Sequence, residues 1–567
     1  MLAGTTASAR VEQANSGVTM IIPKGEPLAT TTKLTEGKEL VPSTSNCVRS
    51  RKRKVMGGRW HRPHWLGIHP LLWALPLQAL LLLSNLDLLE PWSDEGFTFS
   101  LVPKPLSQVL SGVAGNIHPP LYFVLLHYWT QLPWPMSPTA SMRAMSAVWT
   151  LVATVVIYLL WLRGEKVRFQ EKFLALWVLS PCLLLHARMA RSYSMQLALA
   201  SLAIYTALQW TEQPRNWKWL LACIGSSAAL LYTHYLSGLA VAAGVCVSFV
   251  LKKRFASAAT QVVLLMILYA PWLPVLLSKL GQIGSSYQFE SYEGGSIISD
   301  QIVRLAYLFV SFSFGETHST MSLLLSVALT PIVIYALWRA MGNRPAWLLL
   351  VLVATSIAWI GVSTREQFVF MPTHLMFVLP FFLILILRQM KPLAFVALLV
   401  LYACADYAYF TSSGFLVKPY ATPYKEMADV VLDGSHGQNA IVAVDAYGAF
   451  DEPLLNRLGL TVFRDQEFTA DAGSNLRVIF LSSETSARKV LEATRSGPSR
   501  PSVIWLWRRT SDVSPGNFIT KLEQDLSAGH EIRHHEFISY SLPERWARRL
   551  LRGPGQPEYY YSLAEFR

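Results

Sequence analysis

The chain has 567 residues, 52% of them hydrophobic and only 15% charged, against roughly 25% charged in an ordinary soluble domain. That composition argues against a soluble enzyme. The net charge of +13 does not signal nucleic acid, because the basic residues cluster at the ends of apolar runs instead of forming one face; five cysteines with no CxxC pair argue against a disulfide framework or a metal site of that type.

In chain order, residues 1–62 are rich in Ser, Thr, Gly and Lys and end in a basic cluster from Arg49 to Arg62. They read as a disordered, basic cytoplasmic tail. The first apolar run, 66–88, begins too far from Met1 for an ordinary cleavable signal peptide, and basic residues before a spanning helix keep the N-terminus inside. The next long run, 143–162, ends in Arg163, Lys166, Arg168 and Lys172, so it returns to the inside. The shorter run 119–132 then cannot span and reads as a short helix on the outer surface.

Further spans are expected at 172–187, 193–210, 218–233, 236–251, 258–279, 321–338, 345–362, 371–388 and 392–411, eleven in all. Each is near the ~20 residues that cross the hydrocarbon layer. Every inner turn is basic: Arg215 and Lys218, then Lys252 to Arg254, then Arg339 and Arg344, then Arg388 and Lys391. The expected organisation is an α-helical polytopic membrane protein with a membrane domain at 63–411, outer loops at 89–142 and 281–320, and an extracytoplasmic α/β domain at 412–567. In that tail, helical patterning near 423–433 alternates with β-like runs at Ile441–Val444, Val478–Leu481 and Val503–Trp507.

The ionisable residues of the loops fall on one side of this scheme. Asp94 and Glu95 follow the first span directly; two carboxylates there can accept a proton, hold a cation, orient a hydroxyl, or simply flank a helix. His118-Pro119-Pro120-Leu121-Tyr122 fixes the backbone ahead of the surface helix. Arg188 and Arg191, three apart and followed by Tyr193, would share a helical face and suit a phosphate or pyrophosphate. His234 lies in a tight outer turn, Glu316 and His318 precede span eight, Arg365 follows span nine, and His374 lies at the start of span ten.

With Asp94-Glu95, His118 to Tyr122 and Arg188 to Tyr193 in that order, the sequence resembles the GT-C membrane glycosyltransferases, specifically the dolichyl-phosphate-mannose–protein mannosyltransferase-like family 39. The resemblance covers about residues 66–411. It implies sugar transfer from a polyprenyl-phosphate carrier to a glycan, lipid or protein acceptor at the extracytoplasmic face, by direct displacement with inversion. It also implies Asp94 as the catalytic base, Glu95 as the group orienting substrate or a cation, Arg188 and Arg191 on the carrier phosphate, and His118 and Tyr193 as lining groups. Many relatives carry Arg-Tyr at the outer start of a late span, where this chain has Pro372-Thr373-His374-Leu375; His374 or Arg365 would substitute. No metal-ligand spacing is evident, so no cofactor is assigned and a divalent cation stays open. The absence of any Asn-x-Ser/Thr site favours the inner (plasma) membrane of a bacterium. The rival reading is a polytopic transporter or lipid flippase, against which stand the lack of an internal repeat and the placement of charge at the rim; a membrane scaffold whose outer domain binds a partner is the third.

Overall fold

The computed structural model describes residues 69–116, 118–278, 297–342, 345–363, 371–445, 468–469, 476–481, 484–495, 501–509, 518–542, 544–546, 549, 554 and 558–567. The basic tail 1–62 and Arg365 lie outside the described residues.

The first half is helical: α1 (His69–Leu83), α2 (Ser93–Leu101), α3 (Leu106–Gly115), α4 (Leu121–Thr130), α5 (Pro138–Ile157, continued by a π turn Tyr158–Leu162), α6 (Val167–Val178), α7 (Pro181–Ala187), α8 (Tyr193–Glu212), α9 (Trp217–Leu231), α10 (Tyr235–Leu251) and α11 (Phe255–Tyr269). Then come α12 (Ile297–Phe314), α13 (Thr320–Met341), α14 (Leu348–Ser363), α15 (Met371–His374), a 3-10 turn Met376–Val378, α16 (Leu379–Gln389) and α17 (Pro392–Phe410). Among the described residues, three stretches, Pro138–Leu162, Met321–Met341 and Pro392–Phe410, are long and apolar enough to cross a membrane, and seven shorter apolar helices accompany them. Along α13, Met321, Leu324 and Val327 are each at least 60% exposed. An apolar face of that kind belongs in lipid rather than water.

The run 119–132 is observed as the ten-residue helix α4. Three expected elements differ. The run 172–187 is broken into α6 and α7, because the Ser180 hydroxyl accepts the Leu183 N–H at 3.3 Å and Pro181 starts a new helix. The run 371–388 starts with one isolated helical turn and a 3-10 turn before α16, which has Pro380 in its first turn. The outer segment 281–320 is not all loop: it holds the 18-residue α12.

Past Phe410 the chain forms α18 (Tyr424–Gly434), β1 (Ala440–Asp445), β2 (Phe468–Thr469), β3 (Leu476–Leu481), α19 (Glu484–Arg495), β4 (Val503–Arg509), α20 (Phe518–Ser527), β5 (Ile532–Ser539) and β6 (Tyr559–Phe566). The strands make one sheet in the order β2-β3-β1-β4-β6-β5, parallel at its centre and antiparallel at both edges. Alternate residues point to opposite faces. Val442, Val444, Trp505 and Trp507 therefore pack with α18, while Ile441, Ala443, Ile504 and Leu506 pack with α19 and α20. The three strands read from sequence are present, as is the helix near 423–433.

The start of this tail is tied to the loop between α12 and α13: the His318 N–H donates to the Gly414 carbonyl at 2.8 Å, and Leu416 N–H to the Glu316 carbonyl at 2.8 Å. Gly414 has φ +67°, and a Cβ there would sit 2.0 Å from the His318 carbonyl oxygen, so only glycine fits this close approach.

Candidate active site

The five-residue connection between α7 and α8, Arg188 to Ser192, organises the rim. It is pinned at three points. Arg188 donates to the carbonyls of Leu81, Leu82, Ser84 and Asn85 at 2.6–3.2 Å, and its Nε donates to the Tyr409 hydroxyl at 3.0 Å. It thereby caps the orphan carbonyls at the C-terminal end of α1 and stacks on Tyr409 and Phe410. The Ala190 N–H donates to Glu95 Oε1 at 2.7 Å. Arg191 pairs with Asp94, Nη2 to Oδ2 3.3 Å, and donates to the Asp94 carbonyl at 3.0 Å.

Asp94 and Glu95 are neighbours in the first turn of α2, where carboxylates suit the helix dipole. Successive residues on a helix point about 100° apart, and the two differ accordingly. Glu95 is fully buried; Arg143 of α5 grips it with Nε to Oε1 at 2.8 Å and Nη2 to Oε2 at 2.6 Å. The same guanidinium donates to the Leu86 and Leu89 carbonyls at 2.7 and 2.8 Å. Glu95 is thus engaged by protein donors on both oxygens. The Asp94 side chain is 26% exposed. Burial raises its carboxyl above the ordinary aspartate value, Arg191 opposes that shift, and Glu95 adds to it.

Three histidines and Arg191 complete the basin. Arg191 Nη2 lies 3.1 Å from His118 Nε2. A guanidinium only donates, so Nε2 accepts and a neutral His118 carries its proton on Nδ1. His234 caps α10, its Nδ1 accepting the Ser237 N–H at 3.3 Å; its Nε2 therefore carries the proton and donates to His374 Nδ1 at 3.0 Å. His374 in turn carries its proton on Nε2. His118 Nδ1–H and His374 Nε2–H remain as two imidazole donors beside Arg191. Burial first, then the Arg191 charge and the other two histidines, hold His118 well below the ordinary histidine value. Burial, His374 and Arg191 do the same to His234. Buried Gln196 of α8 fixes the His374 backbone, donating to its carbonyl at 3.0 Å. Phe97 and Phe123 flank the His118 ring at 5.5 and 5.7 Å between centroids.

Of the residues singled out from sequence, Asp94, His118, Arg191, His234 and His374 come together. Tyr193 is buried beside them and interacts with Arg191 and Thr373. Arg188, Tyr122, Glu316 and His318 depart from expectation. Arg188 and Arg191 do not share a helical face, because Arg188 to Ser192 is not helical, and the donors of Arg188 are already taken by backbone carbonyls and Tyr409. Tyr122, a substrate-binding candidate from sequence, is a buried brace: its hydroxyl meets Ser146 Oγ at 2.8 Å, and the Ser146 hydroxyl donates to the Arg191 carbonyl at 3.0 Å. Glu316 and His318 belong to a separate, sealed knot. There the Glu316 carboxylate accepts from Ser311 at 2.8 Å and from Tyr307, and lies 3.0 Å from His186 Nε2, while His318 Nε2 donates to the Gly315 carbonyl at 3.1 Å.

Sequence reasoning missed Arg143, Ser146, His186 and Tyr420. Arg143 and His186 carried a legible signal, since each stands inside or against an apolar run of spanning length. Cys182, His186 and Glu316 offer ligand atoms within 4.8 Å of one another, which makes this knot, among the described residues, the place able to hold a metal ion. Tyr420, from the start of the tail, packs its ring 6.3 Å from His186 of the knot and 4.9 Å from Trp92, the residue before α2.

No protein-family model matches the chain, and no curated protein does. Among solved structures it is similar to ArnT from Cupriavidus metallidurans in the apo state, with 13% identity and a TM-score of 0.49 over 88% of this chain and 97% of that one. It is also similar to the same protein bound to undecaprenyl phosphate, with 13% identity and a TM-score of 0.47 over 88% and 98% of the two chains.

Proposed function

We propose that this chain is a membrane glycosyltransferase of the GT-C type that moves a sugar from a polyprenyl-phosphate carrier to an acceptor hydroxyl at the extracytoplasmic rim of the bilayer. In this reading eleven segments cross the membrane, the N-terminus is cytoplasmic, and the basin opens outward with the C-terminal domain. The observation that carries it is the placement of one partly exposed carboxylate, Asp94, against one guanidinium and two imidazole donors at the mouth of the helix bundle. A base and an anion-binding face side by side are what displacement of a phosphate leaving group requires.

The chemistry then runs as one displacement. Asp94 takes the proton of the acceptor hydroxyl as its oxygen bonds to the anomeric carbon. The bond from that carbon to the carrier phosphate breaks, and the electron pair leaves with the phosphate. Attack from the face opposite the leaving group inverts the anomeric configuration. Arg191, with His118 Nδ1–H and His374 Nε2–H, balances the charge growing on the leaving phosphate. A raised Asp94 value improves it as a base near neutral pH. Glu95 acts as a positioning residue: through Ala190 it holds the connection that carries Arg191.

A polyprenyl-phosphate sugar incubated with the purified chain in nanodiscs tests this reading, with glycosylated lipid or protein detected by mass. Asp94→Asn is expected to abolish product while leaving donor binding intact. Undiminished turnover in that variant removes Asp94 from the mechanism, and carrier flux without a covalent product would favour the transporter.

A further inference from the structure

Beyond Phe410, three large apolar side chains are exposed among the described residues: Leu432, Leu542 and Trp546. The last two dominate, at 79% and 68%, whereas the other tryptophans described in this domain, Trp505 and Trp507, are fully buried. Leu542 and Trp546 are four apart, and Leu542, Glu544, Arg545, Trp546 and Arg549 are all helical, so the leucine and the tryptophan share one face.

The position of this stretch is fixed by contacts to the end of the last span. Lys418, eight residues past Phe410, is buried; its Nζ bonds Glu544 Oε1 at 2.6 Å and lies 5.6 Å over the Tyr540 ring. A helical turn with an exposed tryptophan and leucine, tethered that close to the end of a helix long and apolar enough to span, is within reach of the lipid headgroups. Tryptophan is enriched at that level, and arginines beside it complement anionic headgroups. Arg545 and Arg549 flank Trp546; their partner Glu558 is itself 46% exposed, so both cations stay within reach of headgroups.

We propose that Leu542, Arg545, Trp546 and Arg549 form a foot by which the C-terminal domain rests on the outer lipid surface, with Leu542 and Trp546 inserted among the headgroups. The inference rests on α17 spanning the bilayer, and not on the transferase chemistry.

Nitroxide labels at Leu542→Cys and, separately, Trp546→Cys test it in nanodiscs of phosphatidylcholine with phosphatidylglycerol. The signal from the identically treated native chain is subtracted. Val400→Cys, 50% exposed at the middle of α17, is the lipid reference, and Arg488→Cys on α19 the water reference. Relaxation by oxygen and by a water-soluble nickel chelate is read at each site. The foot predicts at least a several-fold fall in nickel accessibility at both sites relative to Arg488→Cys, with oxygen accessibility approaching that at Val400→Cys. Nickel accessibility equal to that at Arg488→Cys overturns it. So does spin–spin broadening that vanishes on dilution with unlabelled protein, which would give the patch to a second copy. A water-like Val400→Cys would instead overturn the spanning reading beneath it.

Discussion

Exchanging Arg143 for methionine keeps the volume inside the helix bundle and removes one charge. In the native chain Glu95 accepts three charge-assisted or backbone hydrogen bonds at 2.6–2.8 Å, two of them from Arg143. Arg143→Met leaves a fully buried carboxylate with the Ala190 N–H as its remaining donor and frees the Leu86 and Leu89 carbonyls. Breaking one side of a buried pair costs about 3–5 kcal/mol, or two to three and a half powers of ten in the folding equilibrium at about 1.4 kcal/mol per tenfold. Glu95→Leu alone should also destabilise, since it strands the guanidinium, although the carbonyls still satisfy part of it. The double variant should be more stable than either single one, because no buried charge remains. Thermal unfolding of the four proteins in one detergent, followed by tryptophan fluorescence, closes the cycle. Unchanged melting of Arg143→Met, or simple additivity in the double variant, refutes the idea that this pair holds the rim.

Asp94→Asn should be at least as stable as the native chain, although inactive. Its folded value is raised, so ionisation costs stability as pH rises above the unfolded value of 3.8, and asparagine is free of that cost; a lower melting temperature at pH 7 would contradict this. His118 behaves in the opposite sense: its folded value is depressed, so its contribution is complete above the unfolded value of 6.5 and is lost as pH falls below it. Melting temperature should therefore drop between pH 7 and pH 5, with a shallower slope in His118→Gln; an unchanged slope in that variant excludes His118 as a source. Arg188→Lys keeps the charge and loses the planar fork that meets four carbonyls and Tyr409, for a loss of about 1.5–3 kcal/mol in line with hydrogen bonds to a charged group; the melting temperature reads it, and native-like melting would contradict the capping role. Gly414→Ala places a Cβ against the His318 carbonyl and should lower melting as well as activity, and an unaffected variant would show that the join between tail and loop can shift.

How much was legible in the sequence differs between periodic and non-periodic parts. Apolar runs gave their helices away through length, and the shorter run 119–132 was legible as the short helix α4. The core strands β1, β3 and β4 were visible as short β-branched and aromatic runs. The strand β5, Ile532 to Ser539, was not, because as an edge strand it mixes two histidines, an arginine and a glutamate with few buried positions. Within the site, residue type located the right neighbourhoods, and Asp94, His118, Arg191, His234 and His374 do meet. Roles were harder to read. Asp94 and Glu95, or Arg188 and Arg191, look equivalent as letters, and only the backbone decides which member of each pair faces the basin and which is sealed against carbonyls. Arg143 escaped notice because its partner is 48 residues away and nothing local marks the pairing.

The connection between α7 and α8 carries three fixed points within four residues, bonded to two different parts of the chain: Arg188 to the end of α1, and Ala190 and Arg191 to the adjacent carboxylates Glu95 and Asp94 in the first turn of α2. Its length is therefore set by two separate registers at once, one against α1 and one against α2. Most surface connections absorb an inserted or deleted residue at little cost, but here a single-residue change on either side of Ala190 would displace one arginine while leaving the other in place. An insertion scan across the outer loops should show this short turn as a sharp gap in tolerance, even though longer loops on either side of it accept extra residues.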